Sequence, residues 1–73
     1  MEQPLFLIKQ FTKKVYCNSA EEVKVTLKRE FRGTHVSLQE PSASGINRIC
    51  FLTVLPTGAI IDTYTLKIVD IYN

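Results

Sequence analysis

The stretch that decides the fold is residues 19–33, which read SAEEVKVTLKREFRG. Ser19 can accept a hydrogen bond from the first helical turn, and Glu22 can reach back to the backbone of Ser19, which makes a capping box. The two glutamates at the start place negative charge at the positive end of the helix dipole. Gly33 can take the left-handed conformation that ends a helix. The stretch therefore predicts a helix over residues 19–32.

The faces of this helix follow from a rotation of about 100° per residue. Its buried side is predicted to carry Ala20, Val23, Leu27 and Phe31. A column of three cations, Lys24, Lys28 and Arg32, runs beside that side. It either contacts a phosphate backbone or an acidic protein surface, or it is an ordinary solvated face whose long stems cover apolar edges. The candidate partner-binding residues are these cations and their basic neighbours: Lys24, Lys28, Arg29, Arg32, Lys13 and Lys14.

The remainder of the chain has the patterns of strands and turns. Residues 5–17 are predicted to be extended, either as one strand with a bulge near Gln10 or as two short strands with a tight turn there. One strand is the preferred interpretation. Further strands are predicted at 34–40, 47–55 and 59–69, with a loop at 41–46, a hairpin turn at 56–58 and a short tail at 70–73.

The predicted order is therefore strand, helix, strand, strand, strand. It indicates a single α+β domain over residues 1–73, in which one helix packs on a mostly antiparallel sheet of four strands. A chain of 73 residues is near the lower limit for a self-sufficient core. A small core of this kind often gains stability from a partner or an oligomer.

Composition and motifs argue against several kinds of chemistry. The net charge of +2 neither requires nor excludes nucleic acid. Cys17 and Cys50 form no Cys-x-x-Cys pair and cannot complete a zinc set with His35, so we expect no metal and no cofactor. The alternatives for the two thiols are one disulfide or two reduced side chains, and we expect them to be reduced because disulfide-stapled small domains usually carry four or more cysteines. The chain shows neither a secretory leader nor a membrane-length apolar run, so we expect a cytoplasmic protein that does not bind membranes.

Catalysis is not expected either. A cysteine, His35 and an acid such as Asp62 or Glu40 are the residue types of a nucleophilic site, but the signatures that accompany such sites are absent. Residues 47–52 also differ from RNA-recognition strands, which carry paired aromatics flanked by basic and glycine residues. The aromatic side chains of Tyr16, Phe51 and Tyr64 either line a face or pack in the core.

The strands themselves give the main functional indication. The final hairpin is apolar on both sides, and one helix can cover only one of them. Either a partner covers the other side or the chain's own termini or long loop do so. We therefore expect a non-enzymatic protein-binding module whose partner is another protein or a second copy. The alternative is a nucleic-acid-binding protein that uses the basic helix face.

The layout is similar in size and element order to phage-encoded accessory proteins, some anti-CRISPR inhibitors among them, with no shared signature residues. By analogy, this similarity implies an inhibitor or accessory protein that acts by occluding a partner surface.

Overall fold

The architecture is a helix on one face of an antiparallel sheet, in a computed structural model that describes residues 5–42 and 44–69. Within these residues the elements are β1 (Phe6–Gln10), β2 (Lys13–Cys17), α1 (Ala20–Glu30), β3 (Thr34–Glu40), β4 (Arg48–Val54) and β5 (Ile60–Asp62). The sheet order is β2-β1-β3-β4-β5, and every neighbouring pair is antiparallel. The predicted α+β fold is confirmed, with five strands rather than four.

The ends of α1 follow from its capping residues. The Ser19 hydroxyl accepts a hydrogen bond from the backbone N–H of Glu22 at 3.1 Å. The carboxylate of Glu22 accepts from the backbone N–H of Asn18 at 2.7 Å, one residue earlier than the predicted partner. At the other end, the N–H of Phe31 donates to Leu27, and Gly33 has a φ of 75°. The helix, Ala20–Glu30, is shorter than the predicted range 19–32 because the capping residues Ser19 and Phe31 flank its helical turns and do not belong to them.

The prediction of one strand over residues 5–17 is wrong. The chain reverses at Phe11 and Thr12, and β1 pairs with β2 in a hairpin that sets Ile8 opposite Val15. Phe11 has a φ of 54°, a conformation that costs an L-residue roughly 1–2 kcal/mol. The hairpin forms because it places Ile8, Val15 and Cys17 together against the helix. Gly, Asn or Asp usually marks such a turn, and none is present here.

The prediction of a returning strand over 59–69 is wrong beyond Asp62. The Asp62 carboxylate accepts hydrogen bonds from the backbone N–H groups of Tyr64 at 2.8 Å and Thr65 at 2.9 Å, which closes a turn. An aspartate side chain often forms this kind of turn. The chain then doubles back, and Ile68 bridges to Ile61. The predicted tail at 70–73 lies outside the described residues.

The core lies entirely between α1 and one face of the sheet. Its buried apolar members are Ile8, Cys17, Val23, Leu27, Phe31, Val36, Leu38, Leu52, Val54 and Ile60. The buried hydroxyl of Thr26, on the helix, accepts from the Cys17 thiol at 3.9 Å. Successive strand residues point to opposite faces, so the neighbours of these core residues point away from the helix.

Candidate functional site

The face of the sheet that points away from α1 is exposed, and we call it the open face. Three of its apolar side chains keep large exposed fractions: 60% for Tyr16, 57% for Ile49 and 47% for Phe51. The alternative in which Tyr16, Phe51 and Tyr64 pack in the core is therefore wrong. From the strands, the open face comprises Leu7, Lys9, Lys14, Tyr16, His35, Ser37, Gln39, Ile49, Phe51, Thr53 and Ile61.

One end of the open face contains a groove of about 290 Å³, which we call the aromatic groove. Its lining combines three aromatic rings, two basic side chains and several polar groups: Lys9, Gln10, Phe11, His35, Val36, Ser37, Phe51, Thr63 and Tyr64. A neighbouring depression of about 230 Å³ shares Lys9, Ser37 and Phe51 with it and adds the aliphatic Leu7 and Ile49. The two depressions thus form one trough across the sheet.

The aromatic side chains of the groove are held by different parts of the fold. The rings of Phe51 and Tyr64 meet edge to face, with centroids 6.0 Å apart and an interplanar angle of 86°. Tyr64 lies in the turn that Asp62 closes. The backbone N–H groups of Thr65 and Tyr64 lower the pKa of the Asp62 carboxyl, because they stabilise its charged form. Phe11 lies at the tip of the first hairpin and is 92% exposed.

A row of hydrogen bonds holds the polar side of the groove in place. The imidazole Nδ1 of His35 lies 2.8 Å from the Thr53 hydroxyl, which lies 3.0 Å from the Thr63 hydroxyl. On the other side, the amide of Gln10 donates to the backbone carbonyl of His35 at 2.9 Å. This row links β1, β3, β4 and the turn after β5, so the groove is built on paired strands rather than on a free loop.

Among the residues that the structure describes, the charged side chains on the open face are all cations. Lys9 lies directly opposite Lys14 across β1 and β2, and Lys9 also lines the aromatic groove. Among residues 5–42 and 44–69, no aspartate or glutamate occupies a position on this face. The face therefore suits an apolar ligand that also carries negative charge.

The predicted cations of the helix lie on the other side of the molecule. Arg29 lies 3.7 Å from the Glu30 carboxylate. The guanidinium of Arg32 donates to the carbonyls of Lys28 at 2.7 Å and of Pro56 at 3.4 Å. Lys24 is half-buried, and it also interacts with another part of the protein. Lys24 and Lys28 keep the predicted spacing within α1, whereas Arg32 lies beyond the end of the helix at Glu30. Arg29 and Arg32 already contact their own chain.

The two predicted lysines of β2 are separated by the strand. Lys13 points toward the helix side, where its ammonium lies 3.5 Å from the Glu30 carboxylate and 4.9 Å from the centroid of the Phe31 ring. Lys14, the next residue, lies on the open face opposite Lys9. The structure thus groups Lys13 with the helix cations and places Lys14 apart from them.

The residues that form the groove are not among the candidate partner-binding residues that the sequence predicts. Lys9 is not among the candidate partner-binding residues, and Phe11 carries no signal in the sequence because its turn lacks the usual residues. Only the register of β1 with β2 shows that Lys9 and Lys14 share a face.

Two further properties bear on the chemistry of this chain. Within residues 5–42 and 44–69, no helix is long and apolar enough to cross a bilayer, and no cluster of His, Cys, Asp or Glu is arranged to hold a metal ion. Cys17 and Cys50 are free thiols, and burial raises the pKa of Cys17.

Comparison of the chain with protein-family models, with curated proteins and with solved structures gave no match.

Proposed function

We propose that this protein is a non-enzymatic protein-binding module that contacts another protein through the open face. The observation that supports the proposal most is the trough lined by Leu7, Ile49, Phe51 and Tyr64, of which the last three are exposed, while α1 covers the opposite face. Contiguous exposed apolar surface with a polar surround is typical of protein interaction sites. Aromatic side chains at the centre of such a surface supply much of the binding energy.

A different protein fits this face better than a second copy does. In a face-to-face dimer both contacting faces carry the cations Lys9 and Lys14, and among the described residues neither face carries a carboxylate to pair with them. Like charges brought together at an interface cost several kcal/mol. The partner that we propose therefore presents an apolar surface with acidic groups.

The mode of action that follows is occlusion. The open face offers contact area to a protein. The volume of its aromatic groove lies at the lower bound of the roughly 300–1,000 Å³ typical of small-molecule sites, so the groove favours contact with a surface over enclosure of a substrate. A chain of this kind acts by covering a surface that another molecule needs. The role of an inhibitor or accessory protein of the phage type agrees with this mode and is part of the proposal.

A second candidate is binding of single-stranded nucleic acid on the same face. It is favoured by the aromatic rings of Phe11, Phe51 and Tyr64 beside Lys9, since bases stack on aromatic side chains next to cations. The version that uses the helix cations has less support, because Arg29 and Arg32 already contact their own chain.

The test compares two exposed β-branched residues on opposite sides of the molecule. Ile49, on the open face, is 57% exposed, and Val25, on the helix, is 53% exposed. Wild-type protein, Ile49→Glu and Val25→Glu are immobilised and exposed to extract of the native host. We expect the wild type and Val25→Glu to retain a protein from the extract that Ile49→Glu does not retain. The same protein, purified, should bind the Ile49→Glu variant at least tenfold more weakly in calorimetric titration.

Far-ultraviolet circular dichroism of the three proteins checks that each remains folded. Equal retention by Ile49→Glu and wild type would show that the open face is not the binding surface. Retention of single-stranded oligonucleotide on a filter, weakening steeply with salt and lost in Ile49→Glu, would favour the second candidate instead.

A further inference from the structure

We infer that the aromatic groove receives one aromatic side chain of the partner, from a segment that carries carboxylates beside that side chain. This inference rests on the proposed function and adds the chemistry of the partner. The groove of about 290 Å³ is too small for a folded element and is lined by Phe11, Phe51 and Tyr64. Rings of this kind hold another ring by edge and face contacts.

Phe11 is the residue that points most directly to a ligand. Its φ of 54° is a conformation that bulky residues rarely adopt, and its side chain is 92% exposed. The fold therefore gains almost no burial from this ring, yet the backbone takes a strained conformation that places the ring at the groove. Strained residues concentrate at binding sites, where the surrounding structure maintains them for function.

The charges around the groove indicate the rest of the ligand. Lys9 lines both the aromatic groove and the neighbouring depression, and Lys14 lies opposite it. Carboxylates next to the inserted ring would lie near these groups. A protein segment fits better than a nucleic acid, because the trough continues over the aliphatic Leu7 and Ile49, whereas bases stack on aromatic rings.

A defined peptide tests the inference. Protein labelled with nitrogen-15 is titrated with a short amidated peptide in which one tryptophan is flanked by glutamates. We expect chemical-shift changes at the groove residues, chiefly Lys9, Phe11, His35, Phe51 and Tyr64. Three further probes are run alongside: the same peptide with alanine for tryptophan, the same peptide with lysine for glutamate, and a single-stranded oligothymidylate. Each should bind at least tenfold more weakly.

Leu66 provides a matched control for Phe11. It also has a positive φ, 61°, and is 70% exposed, but it does not line the groove. We expect Phe11→Gly to weaken peptide binding at least tenfold and Leu66→Gly to leave it unchanged. Lys9→Glu should weaken binding of the acidic peptide and strengthen binding of its lysine counterpart.

Several outcomes would overturn the inference. They are the absence of shift changes with millimolar peptide, equal binding by Phe11→Gly and wild type, and tighter binding of the oligonucleotide than of the peptide. Its failure is distinguishable from failure of the proposed function. A host protein that Ile49→Glu loses and Phe11→Gly keeps would leave the open face as the binding surface and exclude the groove as the point of insertion.

Discussion

Lys9 and Lys14 lie directly opposite each other across β1 and β2, on the face of the sheet that the helix leaves open. Like charges in this arrangement destabilise a sheet. No carboxylate of the described residues lies on the same face to offset them. The pair therefore lowers the stability of the fold while it makes the open face attractive to anionic ligands, which is a common exchange at binding surfaces.

Lys14→Glu should stabilise the isolated protein. The change replaces a repulsive cross-strand pair with an attractive one, so we expect the free energy of unfolding to rise by roughly 0.2–1 kcal/mol. Urea denaturation at low salt measures it, and the gain should shrink at high salt because the pair is exposed. Lys14→Gln only removes the repulsion, so its free energy of unfolding should lie between those of wild type and Lys14→Glu. A loss of stability in Lys14→Glu would contradict this account of the pair.

Phe11→Gly and Leu66→Gly should each preserve or slightly raise stability. Relief of the left-handed conformation is worth roughly 1–2 kcal/mol, whereas the greater freedom of glycine in the unfolded chain costs about 0.4–1 kcal/mol. We expect a net gain of a few tenths of a kcal/mol to about 1 kcal/mol. Thermal and urea denaturation measure it. A clear destabilisation by Phe11→Gly alone would show that the ring supports the fold itself.

Leu27→Ala should destabilise the protein strongly, and Val25→Ala should not. Leu27 is fully buried against the sheet, whereas Val25, two residues earlier on the same helix, is 53% exposed. Removing a buried leucine costs about 2–5 kcal/mol, a large share of the roughly 5–15 kcal/mol typical of a domain. The exposed change should stay within about 0.5 kcal/mol. Similar urea midpoints for the two variants would contradict the observed burial.

Asp62 should make the turn that carries Tyr64 sensitive to acid. Its folded pKa lies below the ordinary value of 3.8 because two backbone N–H groups donate to the carboxylate. Its stabilising contribution is therefore complete above that ordinary pKa and is lost as pH falls through the lower folded pKa. Urea denaturation across pH 2–7 should show the stability difference between wild type and Asp62→Ala shrinking below about pH 4.

Asp62→Asn serves as the control for this pH dependence, because it keeps an oxygen acceptor but does not titrate. The loss of stability at low pH that wild type shows and Asp62→Asn does not is the contribution of the Asp62 charge. If wild type and Asp62→Asn lose stability in parallel across the whole range, other carboxyl groups account for the effect.

Cys17 should resist thiol reagents until the protein unfolds. It is 1% exposed, and burial raises its pKa, so the reactive thiolate is scarce in the folded state. Cys50 is only partly buried. We expect a disulfide reagent to label Cys50 readily in native protein and Cys17 at the rate of unfolding. In the Cys50→Ser variant only Cys17 can react, so mass spectrometry over time measures the labelling of Cys17 alone. Fast labelling of this variant without denaturant would contradict the expected protection.

Local signals were sufficient for the helix. Ser19 and Gly33 mark its ends, and the spacing of Val23, Leu27 and Phe31 marks its buried side, because capping and helical periodicity act over a few neighbouring residues. The signals were insufficient where tertiary contacts outweighed local preference. Phe11 takes a conformation that its own chemistry disfavours, and the hairpin it closes brings Ile8 and Val15 together in the sheet.

The amino-acid sequence by itself determined the α+β class, the position of α1 and the presence of more apolar strand surface than one helix can cover. It did not determine which side chains remain uncovered. Phe51 and Leu52 are neighbours of similar hydrophobicity, yet the first is 47% exposed and the second 1%. Only the tertiary structure decided between them, because the register of β4 against β3 and β5 selects which of two alternating faces meets the helix. Together with the register of β1 against β3, it places Lys9, His35 and Phe51 around one groove.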